Sequence, residues 1–132
     1  MTSRIHNITF DCVAWEPLVA FWSEAVDYAE DPENPNAPGD PEGFLRSTSG
    51  GPGLLFIPVP EGKTVKNRVH LDIVPTASTR DEEVARLLTL GAVMYADHRR
   101  DDGTGFVVLQ DPEGNELCVE RSEAERAGPT PA

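Results

Sequence analysis

Basic residues are scarce in this chain: 11 Lys and Arg face 23 Asp and Glu, for a net charge of −12. A surface of that sign is repelled by phosphate backbones, so nucleic acid is not an expected partner. Cysteine is scarce as well. Cys12 and Cys118 lack CxxC spacing and lie in apolar, strand-like contexts, so free buried thiols are expected and a structural disulfide is not. No run of about 18 apolar residues occurs, so no spanning helix and no membrane partner are expected. Met1-Thr2-Ser3-Arg4-Ile5-His6 carries no long apolar core of the secretory kind. A cytoplasmic protein is the default expectation.

What is present is a repeat. Asn7-Ile8-Thr9-Phe10-Asp11 and His70-Leu71-Asp72-Ile73-Val74 read alike, 63 residues apart. The same offset of 63 relates Gly53-Leu54-Leu55-Phe56 to Glu116-Leu117-Cys118-Val119. A chain of 132 residues is expected to make one domain, here residues 1–132 with half-modules at about 4–60 and 66–121. Two such halves would face each other across a concave site, with Asn7, Leu55, His70 and Cys118 at its lining.

Residues 4–12 alternate as a strand, Ile8 and Phe10 on one face and Asn7, Thr9 and Asp11 on the other. Pro17 suits a first helical turn, and Leu18, Phe21, Trp22, Ala25 and Val26 follow at helical spacing as a core face. Residues 30–43 hold four prolines among acidic residues and read as a long exposed loop, either passive or a lid. Phe44-Leu45-Arg46-Ser47 and 54–59 then read as strands, with Pro58 marking an edge or a strand end.

The second half repeats the plan. Residues 68–74 read as a strand, Thr79-Arg80-Asp81-Glu82 as a capping box, and Val84, Leu87, Leu88 and Leu90 as a buried helical face ended by Gly91. Strands are expected at 92–95, 105–110 and 115–120, with Asp111-Pro112-Glu113-Gly114 as a turn and 97–102 as a solvated charged tip. The tail 122–132 is expected to fray.

With Arg68-Val69-His70-Leu71-Asp72, Leu90-Gly91-Ala92 and Asp111-Pro112-Glu113-Gly114-Asn115-Glu116 in this order, residues 4–121 resemble the vicinal oxygen chelate superfamily. It includes glyoxalase I, extradiol dioxygenases, and fosfomycin- and bleomycin-resistance proteins. Phe21-Trp22 on the first helix is similar to its small glyoxalase-like members. The resemblance implies an α+β fold, two βαβββ modules forming a curved eight-stranded half-barrel around a shared cavity, and a homodimer.

It also implies metal positions on the first, fourth, fifth and eighth strands, which fall on Asn7, Leu55, His70 and Cys118. His70 matches. Leu55 offers no donor, and hard ions want oxygen ligands. Zn²⁺ would accept His70 and Cys118 but needs a third ligand, for which Glu116 and Glu120 flank Cys118 on its face. A metal-free cavity binding a small organic ligand is therefore the leading expectation, with no cofactor. His70 reads as a hydrogen-bonded pocket histidine, an acid–base or ligand-contacting residue, or a metal ligand. Asn7, Asp11, Leu55, Asp72, Glu116, Cys118 and Glu120 are its candidate neighbours around the ligand; Asp11 and Asp72 equally suit structural hydrogen bonding. Two alternatives stand beside this: a metal-dependent lyase, isomerase or dioxygenase, and sequestration of a cationic antibiotic.

Overall fold

The computed structural model describes residues 1–128 and divides into two compact units, Met1–Thr64 and Val65–Ala132. The first carries β1 (Asn7–Cys12), α1 (Trp15–Ala25), β2 (Tyr28–Ala29), β3 (Gly43–Ser47) and β4 (Gly53–Pro58). Its four-stranded sheet has the order β1-β4-β3-β2, with β1 parallel to β4 and the other pairs antiparallel. The second carries β5 (Leu71–Ile73), α2 (Arg80–Thr89), β6 (Val93–Asp97), β7 (Val107–Gln110), β8 (Glu116–Val119) and α3 (Glu123–Ala127). Its order β5-β8-β7-β6 is the same arrangement again. The α+β class and the paired βαβββ plan are thus as expected, the eight strands forming two open four-stranded sheets.

The repeat extends to hydrogen-bond register. Ile8 faces Leu54 and Leu71 faces Leu117, an offset of 46 in both parallel pairs. Thr9↔Leu55 therefore corresponds to Asp72↔Cys118 under the 63-residue shift.

In the first unit α1 buries Leu18, Phe21, Trp22 and Ala25, while β3 and β4 bury Leu45, Leu54 and Phe56. The Phe21 and Trp22 rings meet edge to face at 5.4 Å, and Phe10 packs 5.5 Å from Trp22. These aromatics are core, as their helical spacing indicates. Val26 is not on the helical face: it is the extended C-cap, half-buried. The proline-rich loop is tied down. Asn36 donates to the Phe44 carbonyl and accepts from the Phe44 N–H, both at 2.9 Å, and Trp15 Nε1 donates to the Asp40 carbonyl at 2.8 Å.

In the second unit Thr79 and Glu82 form the expected reciprocal cap, and Gly91 adopts φ +113 after the last turn of α2. The buried face of α2 is Arg80, Glu83, Val84 and Leu87, at i, i+3, i+4 and i+7. Leu88 lies off that stripe and is exposed, and Leu90 is half-buried as the C-cap. Arg80 takes the end of the face because its guanidinium has partners there. Nη1 donates to the carbonyls of Gly103, Thr104 and Gly105 at 3.2, 3.1 and 2.9 Å, and Nε donates to Asp81 at 3.0 Å. Gly105 has φ +95, and a Cβ there would collide with the His98 carbonyl. The charged tip is correspondingly less free than expected: Arg99 bridges Asp97 at 2.6 Å and Asp81 at 3.2 Å.

Three sequence expectations need correction or refinement. β5 begins at Leu71, so residues 68–70 lie outside the strand and His70 immediately precedes it. The second strand that the βαβββ plan requires is only the two residues Tyr28–Ala29, too short for alternation to have placed it. The tail does not fray at Arg121: Ser122 and Glu125 make a second capping box, and Glu123–Ala127 is helical. Glu125 Oε1 also accepts from the Arg80 backbone N–H at 2.6 Å, fixing this turn to the start of α2. The rest of the predicted frayed tail, residues 129–132, lies outside the described residues.

Candidate functional site

The second unit concentrates donor chemistry on one strand pair. In parallel pairing, register partners project from the same face, so Asp72 of β5 and Cys118 of β8 lie side by side. Val108 of β7 continues that row beside Cys118. The opposite face of the sheet is core: Leu109, Leu117, Val107 and Val119 are fully buried. His70, two residues before Asp72, returns to the Asp72 face.

His70 Nδ1 lies 3.2 Å from Asp72 Oδ1 and 3.6 Å from Cys118 Sγ. All three ligand-type atoms fall within 4.8 Å of one another, the one such group of three or more among the described residues. The His70 and Asp72 side chains are 40% and 51% exposed, so the carboxylate and imidazole can meet a solute, whereas the thiol beneath them is buried. The Cys118 thiol is pushed up to about 11, by burial first, then by the Asp72 charge and its hydrogen bond to that carboxylate, with Glu120 adding and Lys66 opposing. At neutral pH the sulfur is therefore a protonated donor to Asp72. With His70 Nδ1–H donating to the same carboxylate, Nε2 is the imidazole nitrogen left for proton exchange.

The remaining sequence candidates do not join this cluster. Glu116 is buried, and its two carboxylate oxygens accept from the Asn67 backbone N–H at 3.2 and 3.3 Å. It thereby anchors the irregular segment ahead of β5. Glu120 pairs with Arg126 at 3.0 Å, although its charge still reaches Cys118. In the first unit, Asn7 Oδ1 is buried with no hydrogen-bond partner among the described residues. It packs where Gly53 leaves room: a Cβ at Gly53 would stand 2.5 Å from Asn7 Oδ1 and from the Phe44 ring. Asp11 is exposed on β1 and Leu55 is half-buried on β4.

The donor set at the four metal positions does not fit a hard divalent ion. Leu55 has no ligand atom, the Asn7 oxygen is buried beside Gly53, and Cys118 offers a soft sulfur where a hard ion wants oxygen. No step is derived through such an ion. Asp72, one of several carboxylates that the sequence offers as neighbours of His70, is the one that the structure sets beside the imidazole. The available signal was the shared offset: the residue two after His70 on β5 must oppose Cys118 once both halves share one register. Lys66, whose charge acts on the thiol, carried no signal of its own.

Paired βαβββ modules, each with one parallel edge pair and two antiparallel pairs, define the vicinal oxygen chelate fold. Residues 7–120 match the family model described as a glyoxalase-like domain, and the chain belongs to that family. The fosfomycin resistance protein FosX from Mesorhizobium loti is 15% identical, covering 98% of this chain and all (100%) of its own, with a TM-score of 0.67. A FosX mutant from Listeria monocytogenes, complexed with Mn(II) and a dihydroxypropylphosphonic acid, is 16% identical; the match covers 96% and 94% of the two chains at a TM-score of 0.68. A glyoxalase/bleomycin resistance/dioxygenase family enzyme from Burkholderia phytofirmans is 16% identical, covering 89% and 97% at a TM-score of 0.65. At these identities the likeness is one of fold. A search of curated protein sequences gives no match. Among the described residues no helix is long and apolar enough to cross a membrane.

Proposed function

We propose that this glyoxalase-like protein binds a small organic molecule on the His70–Asp72–Cys118 face and that His70 exchanges a proton with it, without a divalent ion in the reaction. The observation that carries the reading is the His70–Asp72 pair: a carboxylate at 3.2 Å fixes the imidazole tautomer, as an acid–base histidine requires. Asp72 is the orienting group and Cys118 a neutral neighbour beneath the ligand. The absence of any donor at Leu55 and the packing of Asn7 support the metal-free reading.

The test is a thermal-shift screen of small carbonyl, epoxide and amine compounds, followed by turnover assays on the binders with chelator present. A ligand bound to the folded state raises its stability, by about 2.7 kcal/mol at a hundred times its Kd. His70→Ala is expected to abolish turnover with chelator present and Asp72→Asn to lower it, by about 10²–10⁴-fold for a lost acid–base group. Turnover only after divalent ions are restored would overturn the metal-free reading.

A second reading, sequestration of a cationic drug, draws on the negative field at Cys118 from Asp72 and Glu120. Binding of cationic compounds that persists in His70→Ala, without turnover, would select it over catalysis. Pairing of two chains belongs to the same proposal and is supported by Val93, Met94 and Tyr95, exposed on edge strand β6. A single-chain mass by light scattering at micromolar concentration would remove it.

A further inference from the structure

We propose that His70, Asp72 and Cys118 form a three-ligand site for a borderline-soft divalent ion, Zn²⁺ above all, built within the second unit alone. This set differs from the four metal positions of the fold: it uses neither Asn7 nor Leu55 and recruits Asp72.

The geometry carries the inference. Zinc bonds of about 2.0–2.3 Å at tetrahedral angles place an imidazole nitrogen about 3.4 Å from a carboxylate oxygen and about 3.6 Å from a thiolate. The corresponding separations here are 3.2 and 3.6 Å, and the third pair closes within 4.8 Å. The donors are one nitrogen, one oxygen and one sulfur, a set that zinc accepts and that Mg²⁺ or Mn²⁺ does not favour. Charge agrees: Cys118 as thiolate and Asp72 as carboxylate supply two negative charges for the two of the ion. Two of the ligands are fixed as register partners on paired strands, and the third is two residues away. The half-exposure of His70 and Asp72 leaves a fourth position open to water or a solute.

On binding, the Cys118 S–H bond breaks and its proton leaves to solvent. The Nδ1 proton of His70 is lost while Nε2 gains one, so one proton is released per ion. The ion site stands on these distances. Its consequence for turnover rests on the proposed proton transfer: an imidazole ligating through Nδ1 no longer donates to Asp72, so the ion silences that chemistry.

The test uses the purified chain stripped of metal by chelator, titrated with Co²⁺ and then competed with Zn²⁺. The expected result is one Co²⁺ per chain, a thiolate-to-cobalt charge-transfer band in the near ultraviolet, and displacement by Zn²⁺ but not by Mg²⁺. Cys118→Ser is expected to remove the band and to weaken zinc on the order of a hundredfold, with Asp72→Asn and His70→Ala also weakening it. His98→Ala is expected to change nothing, and far-ultraviolet circular dichroism confirms that each variant is folded. Absence of the band on the wild-type chain at excess Co²⁺ overturns the proposal. So does zinc binding unchanged in Cys118→Ser, or lost in His98→Ala. Because binding is read spectroscopically, a positive result stands even if no organic substrate is found.

Discussion

The two units share a strand order and an offset of 46 in their parallel pairs, and they differ in what those pairs present. Where the first unit sets Asn7, Thr9 and Leu55, the second sets His70, Asp72 and Cys118. Backbone pairing is satisfied by either set, since ladder hydrogen bonds are indifferent to side-chain chemistry. The repeated scaffold therefore accommodates a different side-chain set in each unit. The helices differ in the same way. α1 packs through aromatics and aliphatics, whereas α2 buries a guanidinium whose partners are three backbone carbonyls and the Asp81 carboxylate.

The strongest blow to the comparison is a matched pair of core truncations. Leu54 and Leu117 are equivalent, each buried to 2% or less. Leu54→Ala and Leu117→Ala are each expected to destabilise by about 2–5 kcal/mol in urea unfolding. Equal losses would mean that the units are energetically equivalent where their sequences match; a large difference would break that equivalence.

Arg80→Met comes next, because it removes a shared donor from the carbonyls of Gly103, Thr104 and Gly105, of which Thr104 keeps the Arg100 N–H. A cost of about 1–3 kcal/mol is expected for losing the hydrogen bonds of a buried guanidinium. Faster hydrogen exchange is expected over 98–106, with no change in the first unit. Exchange increasing equally in both units would show that Arg80 does not act as a local pin.

Titration of the thiol is a smaller effect. The folded pKa of about 11 exceeds the ordinary value of 9.0, so the unfolded chain loses this proton first as pH rises. Stability from this group is complete below about 9 and declines between 9 and 11. Thiolate absorbance is expected to appear near pH 11 for Cys118 and at lower pH in Asp72→Asn, while Cys118→Ser removes that transition.

The smallest effect lies at the hairpin. Hydrogen bonds from the Arg99 side chain and backbone hold Asp97 down to about 2. A depressed carboxyl stabilises above its ordinary 3.8 and loses that contribution as pH falls toward 2. Asp97→Asn is expected to leave neutral stability nearly unchanged and to flatten the acid limb slightly, because both partners meet solvent.

The fold was legible because its signals are local and repeated. The Thr79–Glu82 cap, Gly91, the Asp111–Gly114 turn and the helical spacing of Leu18, Phe21, Trp22 and Ala25 each specify an element without reference to the rest. The site was legible only in part. His70 and Cys118 could be placed through the 63-residue offset, but the fate of each carboxylate depends on partners far along the chain. Glu116 is consumed by the Asn67 amide, 49 residues away, and Glu120 by Arg126. Asp72, two residues from His70 and an expected hydrogen-bonding neighbour of it, is the one that stays beside the imidazole. The helical turn at Glu123–Ala127 was missed because five residues offer too little periodicity, although Ser122 and Glu125 have capping-box spacing.

That turn has a consequence for how the second unit opens. One oxygen of Glu125 receives the amide of Ser122 at 3.0 Å and that of Arg80 at 2.6 Å, so two helices begin on a single acceptor. Burial raises the Glu125 pKa, but the hydrogen bonds from Ser122 and Arg80 outweigh it and keep the carboxyl below its usual range. Protonating this one group loosens both helix starts at once. The amides of Ser122 and Arg80, 42 positions apart, thus depend on one titratable group, and acid is expected to weaken both attachments together.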